Sequence, residues 1–457
     1  MTEPIVIKSN LSMGRIFNTW WPLAASWVLM GAELPAVSAI VARLENPAIN
    51  LAAYGGIVFP IALLIEAPVI MLLAASTALC KDMASYRLVR KFMMISGATL
   101  TGLYILVAFT PLYYVVVEGI LGAPEEIVEP ARIGLMIMTP WTWSIAYRRF
   151  NQGVLIRFGH PQAVTIGTII RLTADILVLL VGYAMGSLTG VIVATSAVAM
   201  GVMSEAVYSG IAVRPVVRNE LAIAPPVAEP LTWRGFFQFY IPLAMTSLLT
   251  LLALPIGSAA ISRMPRALES LAVWPVISGL IFMFRSLGVA YNEVVVALLD
   301  EPLSYAGLRR FTNLLASATT AGLLLIVITP LSLFWFGWVS ALEIHLANLA
   351  QQSMWIAIAL PAIAVFQSWY QGAIVYGRRT RSITEAVVIY LVSFLMISWV
   401  GVMWGKTTGL YIGLAAMAIS MFAQTAWLWF RSRRVMADIQ RRDLKMSDLH
   451  PAGVSAD

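Results

Sequence analysis

Charge is scarce in this chain: only 12% of its 457 residues are Asp, Glu, Lys or Arg, whereas 60% are hydrophobic. A soluble domain carries about 25% charged residues, so an ordinary soluble fold is excluded. Cysteine is reduced to Cys80, which excludes a disulfide framework and a cysteine metal site. Histidine is limited to His160, His345 and His450, far apart in the sequence. No nucleotide-binding loop, His-Glu metal motif, paired-aspartate motif or nucleophile elbow is present. Neither an enzyme nor a metal or cofactor site is therefore expected. Short alternating runs of about ten residues are also missing, which excludes a transmembrane β-barrel.

Long apolar runs are abundant instead. A bilayer-spanning helix needs about 20 mostly apolar residues, and twelve segments qualify: 17–43, 52–80, 92–117, 131–156, 163–186, 189–213, 236–262, 271–299, 309–336, 346–376, 383–405 and 409–431. The predicted fold class is an all-α membrane protein with twelve transmembrane helices. An even number of spans puts both termini on one side. That side then receives 23 of the 30 basic residues, leaving Arg43, Arg132, Arg263, Arg266 and Lys406 opposite and Arg171 and Arg285 within spans. Positively charged short loops resist translocation, so both termini are expected in the cytoplasm of a plasma (inner) membrane protein. The acidic loop 118–130 would lie outside. The first apolar run lacks a cleavage-site pattern and reads as a span rather than a removable leader. The same topology accounts for the net charge of +7, so no nucleic-acid partner is expected. The basic tail RSRRVMADIQRRDLK reads as a solvated helix end, with anionic lipid as the alternative contact.

The chain repeats itself. Pro22–Ala52 aligns without a gap to Pro242–Ala272, an offset of 220, with 11 of 31 positions identical. Pro22, Pro35 and Arg43 recur in register as Pro242, Pro255 and Arg263. NQGVLI (151–156) is echoed by YQGAIV (370–375). Six spans per half give both halves the same orientation, the parallel-repeat arrangement in which transporters bind substrate near the midplane between halves. The expected organisation is an N-terminal six-helix lobe at 1–213, a proline-rich cytoplasmic linker at 214–235, a C-terminal six-helix lobe at 236–431 and a cytoplasmic tail at 432–457.

Six plus six spans, with a proline-broken first span repeated as the seventh, resemble the superfamily of multidrug, oligosaccharidyl-lipid and polysaccharide exporters. LAAYG (51–55), IPLA (241–244), Ser262-Arg263 followed by ESLAV (269–273), and QG followed by GRRTR (377–381) are similar to the progressive ankylosis protein family. The resemblance implies a monomeric exporter that alternates between inward-open and outward-open states. Its ankylosis branch implies small anions of the ATP, pyrophosphate or citrate class as cargo. The multidrug branch implies organic cations exchanged for sodium or protons, and a lipid-linked saccharide flippase is a third possibility of the same fold.

Ionisable groups inside a membrane cost several kcal/mol unless paired or wet, which marks Glu33, Glu66, Arg171, Asp175, Glu205, Arg285 and Glu293. Glu66 and Arg285 are almost repeat mates, and the resemblance implies that their spans face each other across the cleft. Arg285 is the expected anion-binding group, because a guanidinium clamps carboxylate or phosphate through two parallel bonds; the alternative is a Glu66–Arg285 latch between lobes. Asn292 and Glu293 extend the polar stripe of the eighth span. Glu33, beside Pro35, is a candidate for coupling to sodium or protons, or else a carboxylate wetted at the outer surface. Arg171 and Asp175, four apart, share a helix face and are expected to neutralise each other, or to line a polar cavity. Gln152 and Gln371 precede recurring glycines, which fits either a site at the lobe interface or close helix packing. Glu205 reads as a snorkelling carboxylate. Arg148, Arg149 and the RRTR turn read as topology signals, with attraction of anions toward the inward mouth as the alternative, and Trp141, Trp143, Trp335 and Trp338 read as interfacial anchors, with the lining of an aromatic drug pocket as the alternative.

Overall fold

The computed structural model describes residues 11–227, 229–377 and 381–449. Residues 378–380 of the GRRTR turn and His450 therefore lie outside the described residues. Twelve long helical units follow one another among the described residues: α1 (Met13–Val41), α2 (Pro47–Leu79), α3 (Met83–Phe109), α4 (Glu125–Ile137 and, after a break at Met138, Thr139–Arg157), α5 (Pro161–Met185), α6 (Gly190–Asn219), α7 (Trp233–Ser262), α8 (Ala267–Leu298), α9 (Ser304–Ile328), α10 (Ile344–Tyr376), α11 (Arg381–Trp404) and α12 (Gly409–Leu449), with short helical segments at 112–120, 221–223 and 331–339 in the connections. No strand occurs among the described residues.

Eleven of these units are long and apolar enough to cross a membrane. The exception is α4, expected as the fourth span: it is interrupted at Met138 and carries Arg148, Arg149 and Arg157. A helix so charged is tolerable in a bilayer only when wrapped by protein, and α4 is packed between α2, α3, α5 and α6. The lipid-facing character falls elsewhere: α5 exposes Ile169, Leu177 and Val181, and α11 exposes Leu395, Met396 and Val400.

The repeat is visible in the backbone. Asn46 before α2 and Arg266 before α8, 220 residues apart, both adopt the left-handed region, with φ of 50° and 57°. Farther along the matching offset becomes 219: Thr110-Pro111 answers Thr329-Pro330, and Gly190 answers Gly409. The slip of one residue coincides with a π-helical stretch in α2, Ala52–Val58, whose wider turns accommodate an extra residue; α8 runs through the equivalent place as a continuous α-helix.

Helices α1 and α7 straddle the two halves. α1 runs along α8, and α7 runs along α2. Ile16, Trp20 and Ala24 of α1 join the core formed by Tyr291, Phe311 and Val365, and the Trp20 indole donates to the Leu287 carbonyl at 2.9 Å. On the other side the Tyr240 hydroxyl donates at 2.5 Å to the carbonyl of Pro68.

At the face remote from the described chain ends the halves meet closely. A Cβ on Gly55 would lie 2.4 Å from Pro275, and one on Gly279 would lie 2.9 Å from Pro35, so glycine is required for this approach of α8 to α1 and α2. Two repeat-related arginines then cross between the halves. Arg43 donates to the carbonyls of Trp338 and Val339 at 2.5 and 2.8 Å. Arg263 donates to those of Ile120 and Leu121 at 2.6 and 2.8 Å. Each thus reaches carbonyls at the end of a π-helix of the other half, Phe334–Val339 or Val115–Ile120, where orphan acceptors and the negative helix end favour a cation.

The segment joining the halves, expected at 214–235, is helical to Asn219 and again from Trp233. The tail beyond 431 continues α12 as helix to Leu449 and packs Val435, Met436 and Ile439 onto the second lobe.

Candidate functional site

Between the halves lies a cavity of about 590 Å³, within the range of small-molecule sites, walled by α1, α2, α4 and α5 on one side and α7, α8, α10, α11 and α12 on the other. The bent helices α1 and α7 frame it. Pro35 and Pro255 cannot donate in the helical ladder, and the turns preceding them supply Glu33, Leu34, Ala253 and Leu254 to the wall.

Four guanidiniums face this space, those of Arg148, Arg149, Arg171 and Arg285, against two carboxylates, Glu33 and Glu66. Behind the wall of the first lobe sits Glu205, fully buried, which ties two of the arginines down. It accepts a short bond from Arg148, a 2.8 Å bond from Gln152, and lies 3.6 Å from the Arg171 Nε. Arg171 also pairs with Glu33 at 2.9 Å. Glu66, 3% exposed, accepts a short bond from the Trp141 indole. Arg149 and Arg285 form no hydrogen bond or ion pair among the described residues, and the Nε of each is buried without a partner. A second cavity of about 280 Å³ adjoins the first through Arg285 and Gln367 and is lined by Trp27, Asn292, Glu293, Ser368 and Gln371. There the Asn292 amide donates to the Ser368 carbonyl at 3.3 Å.

Several expectations change against this geometry. Arg171 does not pair with Asp175: the helices on either side, α1 and α6, bring Glu33 and Glu205 to it, and a shared helix face gave way to these interhelical partners. Asp175, 2% exposed, is left with both carboxylate oxygens unpartnered, against α6 at Gly201, where a Cβ would lie 1.7 Å from its Oδ1. Glu205 does not snorkel, because Arg148 neutralises it inside the lobe and Gln152 donates to it. Glu33 is an ion-pair partner rather than a wet terminal carboxylate. Glu66 and Arg285, exact mates at the offset of 219, line one cavity but form no ion pair with each other, so no direct latch joins them. Gln152 and Gln371 do not share an environment: one lies in the buried network and the other in the second cavity. The adjacent glycines serve close packing, Gly153 against α2 and Gly372 against α8.

The sequence reading ranked topology above anion attraction for Arg148 and Arg149 and anchoring above pocket lining for Trp141; the structure places all three on the cavity wall. The signal was available: the two arginines lie two turns inside the predicted span 131–156, too deep to be explained by topology alone. Trp141, taken for an interfacial anchor, is 4% exposed and holds Glu66. Among the described residues no group of three or more His, Cys, Asp or Glu side chains is placed to hold a metal ion. His160 Nε2 lies 2.7 Å from Glu220, and His345 Nδ1 lies 3.4 Å from Glu343, both away from the cavity.

No family model and no curated protein sequence matches the chain. Solved structures do. The inward-facing conformation of a multidrug resistance MATE family transporter of the MOP superfamily matches with a TM-score of 0.72 at 14% identity, over 92% of this chain and 99% of that one. The lipid II flippase MurJ, in an inward closed conformation, matches with a TM-score of 0.68 at 14% identity, over 95% and 94%. An outward-facing MATE family structure matches with a TM-score of 0.57 at 14% identity, over 95% and 100%. The chain therefore has the fold of MOP superfamily membrane transporters.

Proposed function

We propose that this chain is a secondary-active exporter of small phosphate- or carboxylate-bearing anions, working by alternating access between its two lobes, as the resemblance to the progressive ankylosis branch implies. The observation that carries the reading is Arg285: a guanidinium on the wall of the cavity between the lobes, with no anionic partner among the described residues. The residue is half-buried, with its Nε buried and unpartnered; a donor left unsatisfied away from water is costly, and an anionic ligand that forms two parallel bonds with the guanidinium removes the cost. The excess of guanidiniums over carboxylates around the cavity supports the same sign of charge.

The state described is read as open toward the cytoplasm. Support comes from the higher TM-score to the inward-facing relative than to the outward-facing one and from the contacts of Arg43 and Arg263 across the face remote from the chain ends. Export would require those contacts to break while the opposite side closes. α4 would complete twelve spans, with both termini cytoplasmic and the protein in the plasma (inner) membrane as a monomer. Glu33, Arg171 and Asp175 are the proposed coupling group: with Arg171 held by Glu33 and Glu205, Asp175 is the carboxylate free to take a proton or a sodium ion carried in exchange.

A cation antiporter is the second reading, favoured by Glu66, a cavity carboxylate without a cationic partner. Reconstituted vesicles separate the two. ATP, pyrophosphate and citrate are compared with ethidium for the wild type, Arg285→Ala and Glu66→Gln. Anion transport lost in Arg285→Ala supports the anion reading. Ethidium transport that survives Arg285→Ala and fails in Glu66→Gln replaces it.

A further inference from the structure

Arg149 and Arg285 lie on the two walls of one cavity. Arg149 comes from α4 of the first lobe and Arg285 from α8 of the second, and both line the same cavity. Of the four guanidiniums there, Arg148 and Arg171 are committed to Glu205 and Glu33. The other two have no hydrogen bond or ion pair among the described residues, and each keeps its Nε buried and unpartnered. The repeat did not place them together by symmetry: at the offset of 219 Arg149 corresponds to Ser368, and Arg285 to Glu66. Each lobe thus contributes a single free cation, from a different helix of its six.

We propose that Arg149 is a specificity-determining residue that works with Arg285 as a clamp across the lobes, and that the cargo carries two separated anionic groups, one for each guanidinium. This rests on the anion-exporter reading and sharpens it to di- and polyanions. A monoanion satisfies one guanidinium and leaves the other half-buried and unpaired, its Nε out of contact with water; a dianion satisfies both, and by holding both walls it ties occupancy to the relative position of the lobes. Glu66, on the same cavity wall, is occupied by the Trp141 indole and forms no ion pair with either arginine among the described residues.

The test uses the full chain in reconstituted vesicles and pairs of probes of similar size: succinate against butyrate, and pyrophosphate against diethyl phosphate, a monoanion at neutral pH. The wild type is expected to favour the dianion of each pair by on the order of 30-fold or more in kcat/KM, the scale of one buried charge pair. Arg149→Gln is expected to abolish most of that preference by lowering dianion uptake more than monoanion uptake, and Arg149→Lys to restore part of it. Equal losses for both members of each pair in Arg149→Gln, or an unaltered preference, overturn the clamp alone. No uptake of any anion by the folded wild type overturns the exporter reading and the clamp with it. Retained tryptophan fluorescence and melting temperature identify variants that have merely failed to fold.

Discussion

The two lobes descend from one repeat, yet they treat charge in opposite ways. In the first lobe Glu33, Arg148, Arg171 and Glu205 form a buried ion-pair network, with Asp175 beside it. At the matching positions the second lobe has Ala253, Gln367, Tyr390, Gln424 and Phe394. Both lobes fold into the same six-helix arrangement, so the scaffold does not require the network. Buried ion pairs are poor sources of stability compared with apolar packing. Their presence on one side only therefore points to a task of the first lobe, binding or coupling, rather than to the fold the lobes share.

The most severe way to break this asymmetry is Arg148→Met. It leaves Glu205, with no exposed surface, facing Gln152 and a more distant Arg171, and is expected to cost about 3–5 kcal/mol of stability. The matching change in the second lobe, Gln367→Met, is expected to cost about 0.5 kcal/mol or less, because Gln367 only borders the cavities. Thermal unfolding of the purified full chain reads both. Adding Glu205→Leu to Arg148→Met should recover most of the loss, and similar melting points for the two single variants would show that the network is not what distinguishes the lobes.

Where the lobes do agree, the agreement is testable as well. Arg43 and Arg263 make equivalent charge-assisted bonds across the same face, so Arg43→Ala and Arg263→Ala should weaken its closure equally, by about 1.5–3 kcal/mol each. Leu34→Cys, on the cavity wall, reports the result through labelling by an impermeant maleimide added from that face. Labelling should rise at least about tenfold in either variant. A rise in one variant only would mean that a single arginine closes the face and the symmetry is incidental.

The recurring glycines sharpen the comparison further. An alanine Cβ at Gly153 would lie 1.9 Å from the Ser76 hydroxyl and 2.4 Å from the Leu73 carbonyl, which is backbone and fixed. At Gly372 the nearest atoms belong to the Val295 side chain, at 2.6 Å. Overpacking costs about 1–3 kcal/mol, so Gly153→Ala should sit near the top of that range and Gly372→Ala near the bottom, as melting temperatures will show.

Much of this fold was legible because hydropathy and repetition are dense signals. Pro22 and Pro242, Arg43 and Arg263, and the apolar runs between them specify two copies of one lobe. The slip from 220 to 219 was legible in the echo of NQGVLI by YQGAIV, but its position was not, since a π-helical turn at Ala52–Val58 has no short sequence mark, and Glu66 and Arg285 were therefore read as near rather than exact mates. The site was half legible. Glu66, Arg171 and Arg285 stand out because charges in apolar spans are costly wherever they point. Glu33 and Glu205 stand out in the same way, but which groups pair does not, because pairing is decided between helices: Asp175 is four residues from Arg171 along α5, but Glu33 on α1 and Glu205 on α6 are what reach it. Arg148 and Arg149 were masked by the positive-inside pattern, which explains basic residues near a span end without asking how deep they lie.

The smallest predicted difference concerns the loops that begin α3 and α9. Asp82 caps α3 itself, accepting from the Ser85 amide at 2.9 Å while the Ser85 hydroxyl answers to the Asp82 amide. Its mate Glu301 instead pairs with Arg15 at 2.6 Å, and α9 starts from Leu303 in the left-handed region. The cap comes from the α12 tail: Asp443 accepts from the Tyr305 amide at 2.9 Å, and Arg442 holds the carbonyls of Leu299 and Glu301. Asp82→Ala and Asp443→Ala should each cost about 1 kcal/mol, read as faster amide exchange in the first turn of α3 or α9 respectively. Burial pushes the Asp82 carboxyl up, but the bonds from Ser85 and Val227 outweigh it and hold it below the usual carboxylate range. A carboxyl depressed in the folded state stabilises above its unfolded value, and that stabilisation fades as pH falls through the folded one. The gap in α3 exchange between wild type and Asp82→Ala should accordingly persist at neutral pH and through the ordinary carboxylate range, and close only in stronger acid. A gap that has already closed in the ordinary carboxylate range would mean that Asp82 caps α3 without the charge these bonds favour.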